Sequence, residues 1–279
     1  MPVRLIALDI DGTLLDNRSQ LPEVNRRAVA EASERGIEVA LVTGRRYDFA
    51  MPIARQFDCP LTMIVNNGAL VRSSRGETHR VQLLPRNVAE RVLHATIQFR
   101  GMSSVCFDRQ RENQLIFERI DWGDPLRSGY FERNRDFISE MSPLPDCLTE
   151  DPIQVMFTGS VEQARQIATF LTDLPFSMEY SLAVTLYDHR NFGMVDVISP
   201  GCSKGSALAA WVGHRGWSRE DVMAIGDNLN DLEMLHYAGL PIVMGNSVPQ
   251  LKSLGWHETL SNDQGGVAAA ITTYALEKL

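Results

Sequence analysis

Asp9 and Asp11 stand two residues apart directly after the apolar run Leu5-Ile6-Ala7-Leu8, and Gly12-Thr13 follow them. On an extended segment alternate side chains project from the same side, so both carboxylates leave the chain together. Gly12 permits a tight turn whose backbone N–H groups can face an anion. Thr43-Gly44 follows the run Val39 to Val42, and Gly226-Asp227 with Asn230-Asp231 follows Val222 to Ile225. Lys204 lies in Ser199-Pro200-Gly201-Cys202-Ser203-Lys204-Gly205, after Met194 to Ile198. Clustered carboxylates repel unless protonated or neutralised, and oxygen-only donors with room left for water and phosphate suit Mg²⁺. Thr43 and Lys204 add the donor and the positive charge that the oxygens of a phosphoryl group need. The set suits attack by a carboxylate on phosphorus, through an aspartyl-phosphate.

Each fragment alone also has a purely structural reading. Asp-x-Asp-Gly-Thr can end a strand in a turn, Thr-Gly after a strand is ordinary turn chemistry, a lysine near a helix start is commonly solvated, and Gly-Asp with Asn-Asp can cap a helix. What points to one site is their joint occurrence, each after an apolar run. In an open parallel sheet, ligands bind outside the carboxyl ends of the strands.

The elements that must position these residues follow from hydrophobic period. Residues 3–82 alternate short apolar runs with amphipathic stretches: a strand at 5–8, a helix from near Pro22 that Gly36 terminates, a strand at 39–42, a helix over 46–57 and a strand at 63–65. The continuously apolar strands are those of a parallel sheet buried on both faces. Ala69 to Arg72 and Arg80 to Leu84 flank Ser73-Ser74-Arg75-Gly76 and predict an antiparallel hairpin, read as a flap beside the sheet. Residues 85–190 mix helices (88–99 and 161–171) with short strands (115–120, 155–158 and 184–187), and Asp121 to Pro152 reads as a loop-bearing insertion. After residue 190 the β/α rhythm resumes with strands at 194–198, 222–225 and 241–244. The expected fold class is α/β: a Rossmann-like, doubly wound parallel sheet formed by residues 1–84 and 190–279, with an α+β cap inserted at 85–189.

Composition narrows the ligand. The chain of 279 residues carries 27 Lys and Arg against 35 Asp and Glu, a net charge of −8, which is no electrostatic footprint for nucleic acid or an anionic membrane. A small or metal-neutralised ligand is expected. Hydrophobic residues at 44% and charged residues at 22% exclude a disordered chain. Cys59, Cys106, Cys147 and Cys202 lie far apart and read as buried thiols, and the six histidines show no paired metal-binding spacing, against a zinc hydrolase. The N-terminal apolar stretch is too short for a signal-peptide core, and no run of about 18 apolar residues occurs, so a cytoplasmic protein is expected.

With these motifs in hand, the sequence resembles the haloacid dehalogenase superfamily of aspartyl-phosphate hydrolases, and within it the Cof-type phosphatases with a large α+β cap. The likeness is carried by LDIDGTLLD at 8–16, VTGR at 42–45, NNGA at 66–69, SPGCSKG at 199–205, GDNLNDLEML at 226–235, and MGNS followed by SNDQGGVAAAI at 261–271. It implies a Mg²⁺-dependent phosphatase for small phosphomonoesters, sugar phosphates or related metabolites, whose cap closes over the site and helps select the substrate. Asp9 is the implied nucleophile. Asp11 is the implied acid and base, and would bind Mg²⁺ through its carbonyl alone. Asp227 would be the second side-chain ligand of the metal beside Asp9, with Asp231 holding metal-bound water or Lys204. Thr43, the Gly44 amide, Lys204 and Asn230 would bind the phosphoryl group. The tail departs from the family pattern at Val243 and Ser247, where the family has Ala, away from the acidic positions. A phosphomutase or phosphotransferase on the same core, and a phospho-accepting receiver, are the alternatives. The motifs do not name the substrate, and seven arginines of the cap (100, 109, 111, 119, 127, 133 and 135) read as solvated charge.

Overall fold

The computed structural model describes residues 3–277. The chain forms two compact units, one made of the chain up to Val81 together with the chain from Ser203 on, the other of Gln82–Cys202.

In the first unit, β1 (Leu5–Leu8), β2 (Glu38–Val42) and β3 (Thr62–Val65) are linked by helices α1 (Glu23–Glu34) and α2 (Tyr47–Ala54), and β4 (Leu70–Ser73) and β5 (Thr78–Val81) follow as a hairpin. All four residues of β1 are fully buried, as its unbroken apolar run requires. Each such Leu or Ile contributes about 1.5–3 kcal/mol on burial. Gly36, with φ of +81°, lets the chain turn after α1 into β2.

The second unit contains α3 (Arg86–Ala95), β6 (Ser103–Cys106), β7 (Leu115–Phe117), α4 (Ser128–Asn134), β8 (Ile138–Glu140), β9 (Gln154–Gly159), α5 (Val161–Thr172), β10 (Ser181–Tyr187) and β11 (Phe192–Ile198). Its sheet runs β10-β11-β9-β6-β7-β8 and is antiparallel except for the β7/β8 pair. Val105, Val155, Phe157, Val195 and Val197 line one face and pack on Val88, Ala89, Val92 and Leu93 of α3 and on Ala164, Ile167 and Leu171 of α5. Ser160 and Gln163 form a reciprocal capping box at the start of α5.

The chain returns to the first unit through α6 (Lys204–His214), β12 (Val222–Gly226), α7 (Leu232–Tyr237), β13 (Leu240–Val243) and β14 (His257–Glu258). The sheet order is β14-β13-β12-β1-β2-β3-β4-β5, parallel from β14 through β3 and antiparallel at the β4 and β5 edge. Leu5 and Ala7 pack with Ala207, Leu208 and Trp211 of α6 and Met234 and Leu235 of α7. Their alternates Ile6 and Leu8 are equally buried, α1 lies against β2 and α2 against β3, so the sheet is doubly wound. The strand order reverses between β1 and β12, the crevice at which such sheets bind ligands.

Three expectations are corrected. The C-terminal boundary lies at Cys202/Ser203, not at residue 190: Phe192–Ile198 pairs antiparallel with both β9 and β10 and belongs to the inserted unit. Hydrophobic period registers a buried strand but not which sheet it joins. The hairpin at 70–81 continues the main sheet as its antiparallel edge instead of standing off as a flap. The stretch 121–152 is more than a loop, because Phe131 of α4 meets Phe117 edge-on at 5.4 Å and β8 pairs with β7. Cys106, Cys147 and Cys202 are buried and Cys59 is half-buried, all as free thiols.

Candidate active site

The register pairs Leu8 with Ile225 on one side and Leu41 on the other, so the segments after β1, β12 and β2 emerge at one end of the sheet. Asp9 continues the sheet by donating its N–H to the Ile225 carbonyl at 3.1 Å. The chain then turns sharply through Ile10–Leu14, with Gly12 at φ of +85°. A side chain at Gly12 would collide with the Asp227 carboxylate, so two independent demands fall on this position.

Asp9, Asp227 and Asp231 bring carboxylate oxygens within 4.8 Å of one another, and all three are buried. Lys204, 1% exposed, donates at 2.6 Å to Asp9 Oδ1 and at 2.6 Å to Asp231 Oδ1. Asp9 Oδ2 has no hydrogen-bond partner among the described residues. Asp231 Oδ2 accepts the backbone N–H groups of Asp227 and Asn228, each at 3.0 Å, and Thr13 Oγ1 donates to Asp227 Oδ1 at 2.9 Å. Gly226 leaves room for Asp231, since a Cβ there would lie 2.7 Å from the Asp231 Cγ.

The site is short of positive charge. Three buried carboxylates stand against one ammonium, so with all three ionised the cluster would carry two surplus negative charges. Burial, reinforced by Asp231, raises the Asp9 carboxyl to about 7 against the pull of Lys204. Asp227 is pushed well above the usual range by burial, and then by Asp9 and Asp231. Burial alone would lower Lys204, but Asp231 and Asp9 outweigh it and hold the ammonium above its ordinary value. Hard oxygen donors with two surplus charges fit a divalent cation, and the carboxylates of Asp9, Asp227 and Asp231 lie close enough together to hold one.

Asp11 lies outside this cluster. Its carboxylate is gripped at both oxygens by Arg45, Nε to Oδ2 and Nη2 to Oδ1 at 2.6 Å each, with both side chains a little over a quarter exposed. Arg45 also donates to the Phe49 carbonyl at 3.3 Å. Thr43 is buried after β2, and its Oγ1 accepts the Arg45 N–H at 3.1 Å, which leaves its proton to donate elsewhere. Gly44 is half-buried against Asn67, whose Oδ1 would be 2.9 Å from a Cβ at 44. Asn230 is half-buried in the turn Leu229–Asp231.

The structure thus brings Asp9, Asp227, Asp231 and Lys204 into direct contact, with Asp11, Thr43, Gly44 and Asn230 on the adjoining loops. One premise changes: Lys204 is delivered as the first residue of α6, capped by Ser203, and not from the end of a strand of this sheet. Arg45 and Thr13 carry contacts that sequence reasoning did not assign, although both lie inside the quoted motifs. The available signal was a cation one residue beyond Gly44 and a hydroxyl two residues beyond Asp11.

A family model described as haloacid dehalogenase-like hydrolase matches residues 6–271. An HMP-PP phosphatase from Serratia proteamaculans is 31% identical over 251 residues, covering 90% of this chain and 87% of that protein. A chloroplastic endoribonuclease YBEY from Arabidopsis thaliana is 29% identical over 97% of this chain, which spans only 46% of that longer protein. Among solved structures, a haloacid dehalogenase-like hydrolase from B. subtilis superposes with a TM-score of 0.82 over 98% of this chain and all of that one, at 22% identity.

Proposed function

This chain belongs to the haloacid dehalogenase-like hydrolases, and from that premise we propose that it is a Mg²⁺-dependent phosphatase that hydrolyses small phosphomonoesters through a phosphoryl group carried on Asp9. The observation that carries the reading is the buried cluster of Asp9, Asp227 and Asp231 bridged by Lys204. Lys204 holds Asp9 Oδ1 and so leaves Oδ2 as the attacking atom. Oδ2 forms a bond to phosphorus while the ester P–O bond breaks, and Asp11, released from the Arg45 guanidinium that holds both its oxygens and protonated, delivers that proton to the departing alkoxide. In the second half Asp11 takes a proton from water as that water bonds to phosphorus and the Asp9–phosphorus bond breaks, returning the carboxylate and inorganic phosphate. Mg²⁺ between Asp9 and Asp227 would offset the surplus negative charge and draw charge from the phosphoryl oxygens.

Thr43, the Gly44 N–H, Lys204 and Asn230 bind the remaining phosphoryl oxygens. Asp231 keeps Lys204 in place: it is fully buried, bonded at both oxygens, and has no free atom to offer a substrate. The substrate class follows from the acidic, non-basic chain and from the relatives' names. The Serratia relative is named an HMP-PP phosphatase, which supports a small phosphorylated metabolite as the substrate of this chain. Assaying phosphate release from a panel of sugar phosphates, nucleotides, pyridoxal phosphate and flavin mononucleotide, with Mg²⁺ and with chelator, tests this. Release with Mg²⁺ that chelator abolishes is expected. Equal release in both conditions, or transfer of phosphate to a sugar hydroxyl in place of release, would overturn it.

A further inference from the structure

Three asparagines converge on the turn that follows Asp11. Asn246 Nδ2 donates to the Gly12 carbonyl at 2.8 Å, Asn25 Nδ2 to the Leu14 carbonyl at 3.0 Å and Asn262 Nδ2 to the Leu15 carbonyl at 3.0 Å. They come from three separate segments: α1, the loop after β13, and the short turn Asn262–Gln264. Two of them are also tied to one another, because Asn246 Oδ1 accepts the Asn262 N–H at 2.9 Å, and Asn25 Oδ1 accepts the Ala268 N–H at 3.0 Å. A turn with positive φ at Gly12 leaves its carbonyls outside any regular ladder, and side-chain amides supply the missing donors. Stability alone would be served by any turn. What this arrangement adds is a fixed backbone between Asp11, whose carboxylate Arg45 holds, and Thr13, whose hydroxyl holds Asp227.

We propose that Asn246, supported by Asn262 and Asn25, is a positioning residue that fixes the Gly12 peptide and thereby the placement of the Asp11 carboxyl relative to Asp9. The inference rests on the reading of Asp11 as the acid. Asn246 is exposed, so its replacement leaves the core intact, whereas Asn25 and Asn262 are almost wholly buried and their loss risks the fold. Asn246→Asp is the sharper variant. Its carboxylate can still accept the Asn262 N–H but has no proton for the Gly12 carbonyl, so it removes one link and keeps the other.

The readout is leaving-group dependence. An alkyl phosphate such as glycerol 2-phosphate needs a placed proton donor, while p-nitrophenyl phosphate departs as a weakly basic phenolate and needs far less help. Read in single-turnover release of the leaving group, which isolates the first half-reaction, Asn246→Ala and Asn246→Asp are expected to slow release of glycerol from glycerol 2-phosphate by about 10-fold or more, with release of p-nitrophenol from p-nitrophenyl phosphate within about twofold and Mg²⁺ dependence unchanged. Equal losses on both substrates, or no loss on either, would overturn the proposal. Asp11→Asn, assayed alongside, separates the two levels: a leaving-group-selective loss there without one in the Asn246 variants removes the asparagine's role and leaves the acid assignment standing. No selectivity in Asp11→Asn removes the assignment itself.

Discussion

Asp9 and Asp11 are separated by one residue and live in opposite surroundings. Asp9 sits in a buried cluster with two more carboxylates and a single ammonium, and burial raises its carboxyl to about 7. Asp11 lies at the rim, partly in water, with both oxygens on the Arg45 guanidinium. The helical backbone of Ile10, between the extended Asp9 and Asp11, produces this split, because a regular strand would have carried both carboxylates from one side into one environment. The lesson is that one short motif supplies two carboxyl groups in chemically different surroundings: one buried and short of positive charge, the other at the rim and paired with a guanidinium.

The sharpest break in the comparison is Asp9→Asn, which keeps shape and hydrogen bonding but removes the nucleophile. Turnover should fall by at least about 10⁴-fold, read in steady-state phosphate release, while Asp11→Asn retains measurable activity on p-nitrophenyl phosphate. Lys204→Met strips the only ammonium from the cluster and leaves Asp9 and Asp231 buried without it. Denaturant unfolding should show a loss of about 3–5 kcal/mol without added metal, partly restored by Mg²⁺. Gly12→Ala forces a side chain into a left-handed turn and against Asp227, and we expect a loss of about 10²-fold in kcat with the fold retained by circular dichroism.

The electrostatic side of the comparison is read in pH. Asp9 has its folded-state value raised from 3.8 to about 7, so the folded chain keeps a proton that the unfolded chain has already lost. That contribution is complete below 3.8 and disappears as pH climbs to about 7. Mg²⁺ competes with the same proton, so its stabilising effect on Tm should be larger above pH ~8 than below pH ~6. A Tm gain independent of pH would show that the cluster does not hold the cation. The smallest effect is expected in the inserted unit: Arg135→Ala, whose partner Glu132 is as exposed as the arginine itself, should change stability by less than about 0.5 kcal/mol and leave kcat unaltered.

Much of the sheet was legible because apolar runs such as Leu5–Leu8 and Val222–Ile225 are buried on both sides and have no other use. The acidic cluster was legible for the same reason, since its members follow those runs directly and buried carboxylates demand compensation. The Asp11–Arg45 pair was not, because it joins side chains 34 residues apart whose approach depends on how two loops bend after adjacent strands. The partner strands of Phe192–Ile198 escaped period analysis, as did the asparagines that bind the turn after Asp11. Asparagine is ordinary loop composition until the carbonyl it serves is known.

The most direct test is to catch the phosphoryl group on the protein. In Asp11→Asn, p-nitrophenyl phosphate can still load the nucleophile because its leaving group needs little acid, whereas release to water is slowed. Quenching that variant in acid during turnover and mapping the peptides by mass spectrometry should find the phosphoryl group on the peptide that carries Asp9, at that residue. A phosphoryl group on another side chain, or continued turnover with none bound to the protein, would contradict the account.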